Sequence, residues 1–186
     1  MQKHINIVLN EITTVFFDVD GIFTDGSLYF SDNGSCITKF NVHDGMGCIL
    51  LKEAGVELLI LTARHGDEVV KRFKDLGIEK IYTKVLKKRD FIKEYSITYN
   101  LKKNELAMMG DDLQDLAAIN DVGIFFSTPN AIDIVRDSSD YITKKLGGNG
   151  AVREICDLII QSKGLNSSTE FEHYTKKVTK DANTKI

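Results

Sequence analysis

Apolar positions along the chain fall into two alternating patterns. Short, nearly unbroken apolar runs occur at VFFDV (15–19), VELLILT (56–62), KIYT (80–83), ELAMMG (105–110) and VGIFF (122–126). Several carry apolar residues on successive positions, as strands covered on both faces require, so these runs predict strands. Between them lie the amphipathic stretches DGMGCILLKEAG (44–55), GDEVVKRFKDLG (66–77), KKRDFIKEYSITYN (87–100), DLQDLAAIND (112–121) and GAVREICDLIIQSKG (150–164), which predict helices. Strand and helix in strict alternation predict an α/β fold with a mainly parallel sheet and helices on both faces. In such sheets a ligand sits beyond the carboxyl ends of the strands, so residues that end strands are where chemistry is expected.

One segment breaks the alternation. GSLYFSDNGSCITKFNV (26–42) places two β-rich runs either side of Asn33-Gly34, a hairpin signal because both turn residues accept positive φ. It predicts a hairpin standing over the strand ends as a flap, with no insertion large enough for a second domain. From about Leu165 onward the chain is polar without periodicity. Residues 1–164 therefore read as one domain and 165–186 as a tail, disordered by composition over the last ten or so residues.

Composition narrows the class. With 186 residues, 42% hydrophobic and 27% charged, one core is the expectation. There is no run of eighteen apolar residues, so no membrane span is expected, and the N-terminal MQKHINIVLNEI lacks the pattern of a signal peptide, which points to the cytoplasm. Cys36, Cys48 and Cys156 are widely spaced, match no zinc pattern and read as reduced core residues. A net charge of -3 with interspersed signs supplies no footprint for nucleic acid, while a small anionic substrate needs only two or three local cations.

Four clusters close predicted strands. FFDVDGIFTDG (16–26) sets Asp18, Asp20 and Asp25 at the end of a buried strand, where carboxylates repel and are costly to desolvate without a cation. DxD alone also describes exposed loop aspartates. Thr62 ends VELLILT, as a phosphate-facing hydroxyl or as a cap for the next helix. Lys84, Lys87, Lys88 and Arg89 open a predicted helix, where cations oppose the macrodipole unless they meet an anion. Gly110-Asp111-Asp112-Leu113-Gln114-Asp115 follows ELAMM; Asp111 stands where a cation could sit, and Asp112 or Asp115 also suits the first turn of a helix. Hard carboxylate oxygens without His or Cys neighbours favour Mg²⁺, and the set suits phosphoryl transfer.

The order DVDGIFTDG, LTAR, a lysine, then GDDLQD resembles the haloacid dehalogenase superfamily of aspartate-nucleophile phosphohydrolases. With KFNVHDGMG and GGNGAVREICDLI, the resemblance over roughly residues 13–163 is to the 3-deoxy-D-manno-octulosonate 8-phosphate phosphatase family. It implies a Rossmann-like sheet without a large cap, a β-hairpin flap, and a homotetramer in which neighbours help close each site. By motif, Asp18 would be the nucleophile and Asp20 the general acid/base, with Thr62 and Lys88 holding the phosphoryl group; Lys87 or Lys84 takes the lysine role if the register slips. Magnesium would be bound by the Asp18 carboxylate, the Asp20 backbone carbonyl and Asp111, supported by Asp112 or Asp115.

The substrate implied is a sugar-acid phosphate of lipopolysaccharide biosynthesis. Arg64 resembles the eight-carbon enzymes, and a guanidinium can pair with a sugar carboxylate. Ala63 stands where glycine is usual and Asn149 where a basic residue often occurs, which keeps a nonulosonate 9-phosphate as the alternative. Arg72 and His65 flank the pocket or brace a helix, Arg153 reaches an anion or forms a salt bridge, and His43 touches substrate or belongs to a helix cap. Phe171 and Tyr174 could anchor the tail toward a neighbouring subunit. A receiver-type phosphoacceptor domain uses similar residues, but it places an acidic pair first and its lysine last, the reverse of the order here.

Overall fold

The computed structural model describes residues 8–34, 36–64 and 66–183, with side chains to 180; His65 lies outside the described residues. The strands are β1 (Thr14–Phe17), β4 (Glu57–Leu61), β5 (Ile81–Tyr82), β6 (Leu106–Met109), β7 (Ile124–Ser127) and β8 (Tyr141–Ile142), with β2 (Tyr29–Phe30) and β3 (Cys36–Ile37) forming the hairpin. The six-stranded sheet has the order β5-β4-β1-β6-β7-β8, and each neighbouring pair is parallel. β1 is flanked on one side by β4 and on the other by β6, so chain order reverses beside it and opens a crevice at its carboxyl end.

Side chains alternate across this sheet. Val15 and Phe17 of β1, Ile60 of β4, Met109 of β6 and Phe126 of β7 enter one core. Phe16, Leu59, Met108 and Phe125 enter the other. The first core is covered by α1, described at 8–11, and by α2 (Val42–Glu53), α3 (Asp67–Asp75) and α7 (Ala151–Ser162). The second is covered by α4 (Lys88–Thr98), α5 (Leu113–Leu116) and α6 (Asp133–Ser138). Two-sided burial is why the strand segments read as unbroken apolar runs. β8 and α6 were not predicted: Tyr141–Ile142 is two residues long and Asp133–Ser138 only six, too short for a period to show.

Asp44 joins the two helices that flank the flap and the 147–150 loop. It sits in the first turn of α2 and is fully buried, and its carboxylate accepts from Gly150 N–H at 3.2 Å and Arg153 N–H at 2.9 Å. Gly150 is the N-cap of α7 and has no side chain to cap it, so a residue from α2 does so.

The hairpin forms, but not with the expected two-residue turn. Phe30 pairs with Cys36, leaving a five-residue loop in which Gly34 N–H donates to Ser31 O at 2.8 Å. Gly34 takes φ +81°, while Asn33 keeps a negative φ and accepts from Ser31 Oγ at 2.6 Å. A glycine-terminated turn over residues 31–34 replaces the tight turn.

The chain beyond Leu165 is also corrected. Ser167–Asn183 forms α8, which packs on α2 and α7. Asn166 accepts from Ser168 N–H at 2.8 Å at its start, Ser167 Oγ donates to Asp157 at 2.7 Å, Glu170 is buried, and Lys177 pairs with Glu53. The inner face is largely polar, which is why hydrophobic periodicity missed it. Among the described residues, no helix is long and apolar enough to cross a membrane.

Candidate active site

Asp18 follows the last residue of β1, and its N–H still donates to Met109 O at 3.0 Å, so the carboxylate leaves the sheet at the strand end. The chain then turns sharply. Phe23 N–H bonds to Val19 O at 2.9 Å, and Thr24 Oγ1 accepts from the N–H groups of Gly21 and Gly26. Gly21 sits at φ +73°, and a Cβ there would lie 1.8 Å from Asp111 Oδ2. Only glycine meets both demands, the left-handed backbone and the approach of a carboxylate from the next strand. Asp25 stays outside the cleft: it accepts from Ser27 N–H at 2.9 Å and lies 3.6 Å from Lys39, as a turn residue.

The opposite wall is the β6–α5 turn. Asp112 is the N-cap of α5 and accepts from Leu113 N–H at 2.7 Å. Asp115 turns back and accepts from the N–H groups of Asp111 and Asp112 at 3.0 and 3.2 Å. It also accepts from Lys88 Nζ at 2.5 Å, and Lys88 donates simultaneously to Asp18. Lys88 is only 2% exposed, whereas Lys84 and Lys87 are exposed, so Lys88 is the one of the three that enters the carboxylate cluster. The residue that sequence left undecided is Asp115; it is both a capping acid and a buried partner of Lys88, and its spacing from Asp111 carries the first role without revealing the second.

Oxygens of Asp18, Asp111 and Asp115 all lie within 4.8 Å of one another. Burial, then the Asp115 charge, pushes the Asp18 carboxyl well above the usual range, against the pull of Lys88. Burial and the Asp115 and Asp112 charges push Asp111 up to about 7. Burial alone would depress the Lys88 ammonium, but Asp18 and Asp115 outweigh it and hold it above the ordinary lysine value. One ammonium among three clustered carboxylates leaves a negative excess, and the donors are all hard oxygens with no His or Cys among them. The residues present therefore fit a small divalent cation of the magnesium type.

A cleft of about 280 Å³ opens over these groups, lined also by Asp20, Thr62 and Gln114. Thr62 follows the last residue of β4 and is buried; its Oγ1 accepts from Arg64 N–H at 3.1 Å, so its hydroxyl hydrogen is free for another acceptor. Arg64 Nη1 donates to Asp20 at 2.7 Å, and its Nη2 lies 3.5 Å from Cys36 Sγ on the flap. A second cleft, about 320 Å³, lies at the amino ends of β4 and β5, where Lys52 donates to Gly77 O and Lys80 pairs with Glu57; it holds no strand-end cluster.

The structure thus brings Asp18, Asp20, Thr62, Arg64, Lys88 and Asp111 together. It does not bring Arg72 and Arg153 to the cleft of the same chain. Arg72 lies over Gly45 on α2, and Arg153 pairs with Asp157 at 2.8 Å one turn along α7, so the salt-bridge reading of Arg153 holds here. His43 is exposed, and its N–H donates to the Asn41 side chain that caps α2.

Residues 78–155, which include Lys88 and Asp111, match the model of a haloacid dehalogenase-like hydrolase family. The 3-deoxy-D-manno-octulosonate 8-phosphate phosphatase of Haemophilus influenzae is 34% identical over 163 residues, covering 86% of this chain and 88% of that protein. The chain belongs to the 3-deoxy-D-manno-octulosonate 8-phosphate phosphatase family. Among solved octulosonate phosphatases, that of Moraxella catarrhalis, in complex with magnesium ion, phosphate ion and the sugar acid, has TM-score 0.88 at 35% identity, covering 94% of this chain and 99% of that one. The cobalt-bound form of the Haemophilus influenzae octulosonate phosphatase has TM-score 0.80 at 33% identity, covering 84% and 92%. Membership in this phosphatase family sets the receiver-type alternative aside.

Proposed function

We propose that this protein hydrolyses 3-deoxy-D-manno-octulosonate 8-phosphate to the free sugar acid and inorganic phosphate, in lipopolysaccharide biosynthesis, with Mg²⁺ as cofactor. The observation that carries the reading is the convergence of Asp18, Asp20, Thr62, Lys88 and Asp111 on one cleft, in a chain 34% identical to such a phosphatase. Mg²⁺ would be held by Asp18, the Asp20 backbone carbonyl and Asp111, and when bound it offsets the charge of the carboxylates and of the transferring phosphoryl group.

The chain's own residues then divide the work. An Asp18 oxygen attacks phosphorus, forming an aspartyl-phosphate as the bond to the sugar oxygen breaks. Asp20 gives its proton to that leaving oxygen, then takes one from the water that attacks phosphorus and frees Asp18. Lys88, already donating to Asp18, shifts hydrogen bonds onto the phosphoryl oxygens. Thr62 offers them its free hydroxyl hydrogen. Arg64, beside Asp20 and under the flap, is in reach to take the sugar carboxylate bidentately.

Phosphate release from the eight-carbon 8-phosphate, with and without Mg²⁺, tests the reading. A kcat/KM for a nonulosonate 9-phosphate above that for the octulosonate would overturn the sugar assignment and leave the chemistry standing. Metal-independent turnover would overturn the site.

A further inference from the structure

The loop after β7 bonds to both Asp111 and the Asp20-Gly21 turn, on either side of the proposed metal site, and one exposed side chain makes two of the loop's contacts. Ile132 N–H donates to Asp111 O at 3.1 Å, and Thr128 Oγ1 donates to Gly21 O at 3.4 Å. Asn130, exposed on the surface, donates from Nδ2 to the same Gly21 carbonyl at 3.1 Å and accepts from Gly147 N–H on Oδ1 at 2.8 Å. These partners fix the orientation of the amide, since only NH₂ meets a carbonyl and only oxygen meets an N–H. An ionised carboxylate at this position could keep the second bond but not the first.

What the amide holds is the spacing of the cation's two walls. Asp111 Oδ2 occupies the place where a Gly21 Cβ would be, so any shift of the Gly21 backbone opens or closes the gap to Asp111. On the other side Gly147 presses so close that a Cβ there would lie 1.8 Å from Gly21 O, and Gly148 N–H donates to Ile22 O at 2.9 Å. The Asp20-Gly21 turn is therefore held between two loops, and Asn130 is the side chain that bonds to both the turn and the outer loop.

We infer that Asn130 is a positioning residue for the metal-binding carboxylates. Its amide locks the Asp20-Gly21 turn at the distance from Asp111 at which a divalent cation is gripped. The inference rests on the metal site proposed above and extends it to a residue outside all four strand-end clusters. Outer-shell hydrogen bonds of this kind orient ligands without touching the ion.

The test titrates Mn²⁺ into substrate-free protein, followed by the electron paramagnetic resonance of the free ion, for wild type, Asn130→Ala, Asn130→Asp and an Asn104→Ala control. Asn104 makes a comparable exposed side-chain bond, to Glu11 at 2.6 Å, beside the start of β6. Both Asn130 variants are expected to weaken Mn²⁺ about tenfold or more, with wild-type affinity in the control. Because Asn130 is exposed, the metal-free melting temperature should fall by no more than about 2–4 °C. The Mg²⁺ concentration for half-maximal phosphate release should rise in step, while KM for the sugar phosphate changes little. Unchanged Mn²⁺ affinity in folded Asn130 variants overturns the inference and leaves the metal site intact, as does equal weakening in the control. If Asn130→Ala fails to fold, the isosteric Asn130→Asp carries the test; failure of both to fold makes the role structural and overturns it. A wild type that binds no Mn²⁺ overturns the metal assignment and this inference with it.

Discussion

Lys88 sits between two carboxylates that have different work. In the proposed reaction Asp18 needs an ammonium that can pass to a phosphoryl group, while Asp115 needs one to stay buried at all. Lys88→Met leaves Asp18 and Asp115 without a cation, so thermal or denaturant unfolding should report a loss of about 3–5 kcal/mol, alongside lost turnover. Asp18→Asn keeps the shape and removes the proposed nucleophile; phosphate release should fall at least about 10⁴-fold with the fold retained, and near-wild-type turnover would refute the assignment. The motif order made Asp18, Thr62, Lys88 and Asp111 legible because each ends a strand or opens the next helix. Arg72 and Arg153 were not legible, because a long flexible side chain goes to whichever partner the packing offers: Arg72 lies over Gly45 of α2, and Arg153 pairs with Asp157 one turn along its own helix.

Asp111 also makes the residue-scale chemistry pH-dependent. Its carboxyl is pushed up to about 7 in the folded chain, above the ordinary 3.8. Between those values the metal-free folded state holds a proton that the unfolded state has lost. The contribution of Asp111 to stability therefore declines as pH rises from about 4 to about 7 and is flat above. Cation binding expels that proton, so apparent Mg²⁺ affinity should increase up to about pH 7. Melting curves in EDTA and in saturating Mg²⁺ check both signs: the gap between them should widen with pH over this window.

At the scale of elements, the apolar strands and the amphipathic helices were legible, while β8, α6 and α8 were not. β1, β4, β6 and β7 are buried on both faces and carry their own signal, whereas β8 borrows its conformation from pairing with β7. α8 docks through Glu170, Ser167 and Lys177 rather than through an apolar stripe. Deleting it after Lys163 removes a hydrogen bond to Asp157, an exposed ion pair and the cover over α2. The expected effect is on the order of 2 kcal/mol in stability with a smaller change in kcat/KM, since the cleft lies on other elements. A collapse of kcat/KM in a fully folded truncation would instead assign the helix to a catalytic site.

For the whole molecule, the parallel sheet explains why the carboxylates meet, and the flap raises the question of assembly. β1 lies between β4 and β6, so Asp18, Thr62 and Asp111, separated by tens of residues, emerge side by side. Strand order itself was not legible, because nothing local to β6 says that it pairs with β1. The flap carries Phe30 at 71% exposure and Ile37 at 60%, and Val42 at its base is 72% exposed. Apolar side chains grouped this way on a hairpin are poorly explained by a lone chain and suit burial against another copy. The homotetramer that the family resemblance implies would supply that surface, and we propose it as the state of assembly. Phe30→Lys places a charge in such an interface without disturbing the chain's own core, because Phe30 contributes to neither hydrophobic cluster. Sedimentation velocity should then show the assembly shifting to smaller species, with unchanged melting of the subunit and reduced kcat/KM. A Phe30→Lys protein that sediments as wild type would remove the flap from the interface, and a wild type that sediments as a monomer would remove the tetramer.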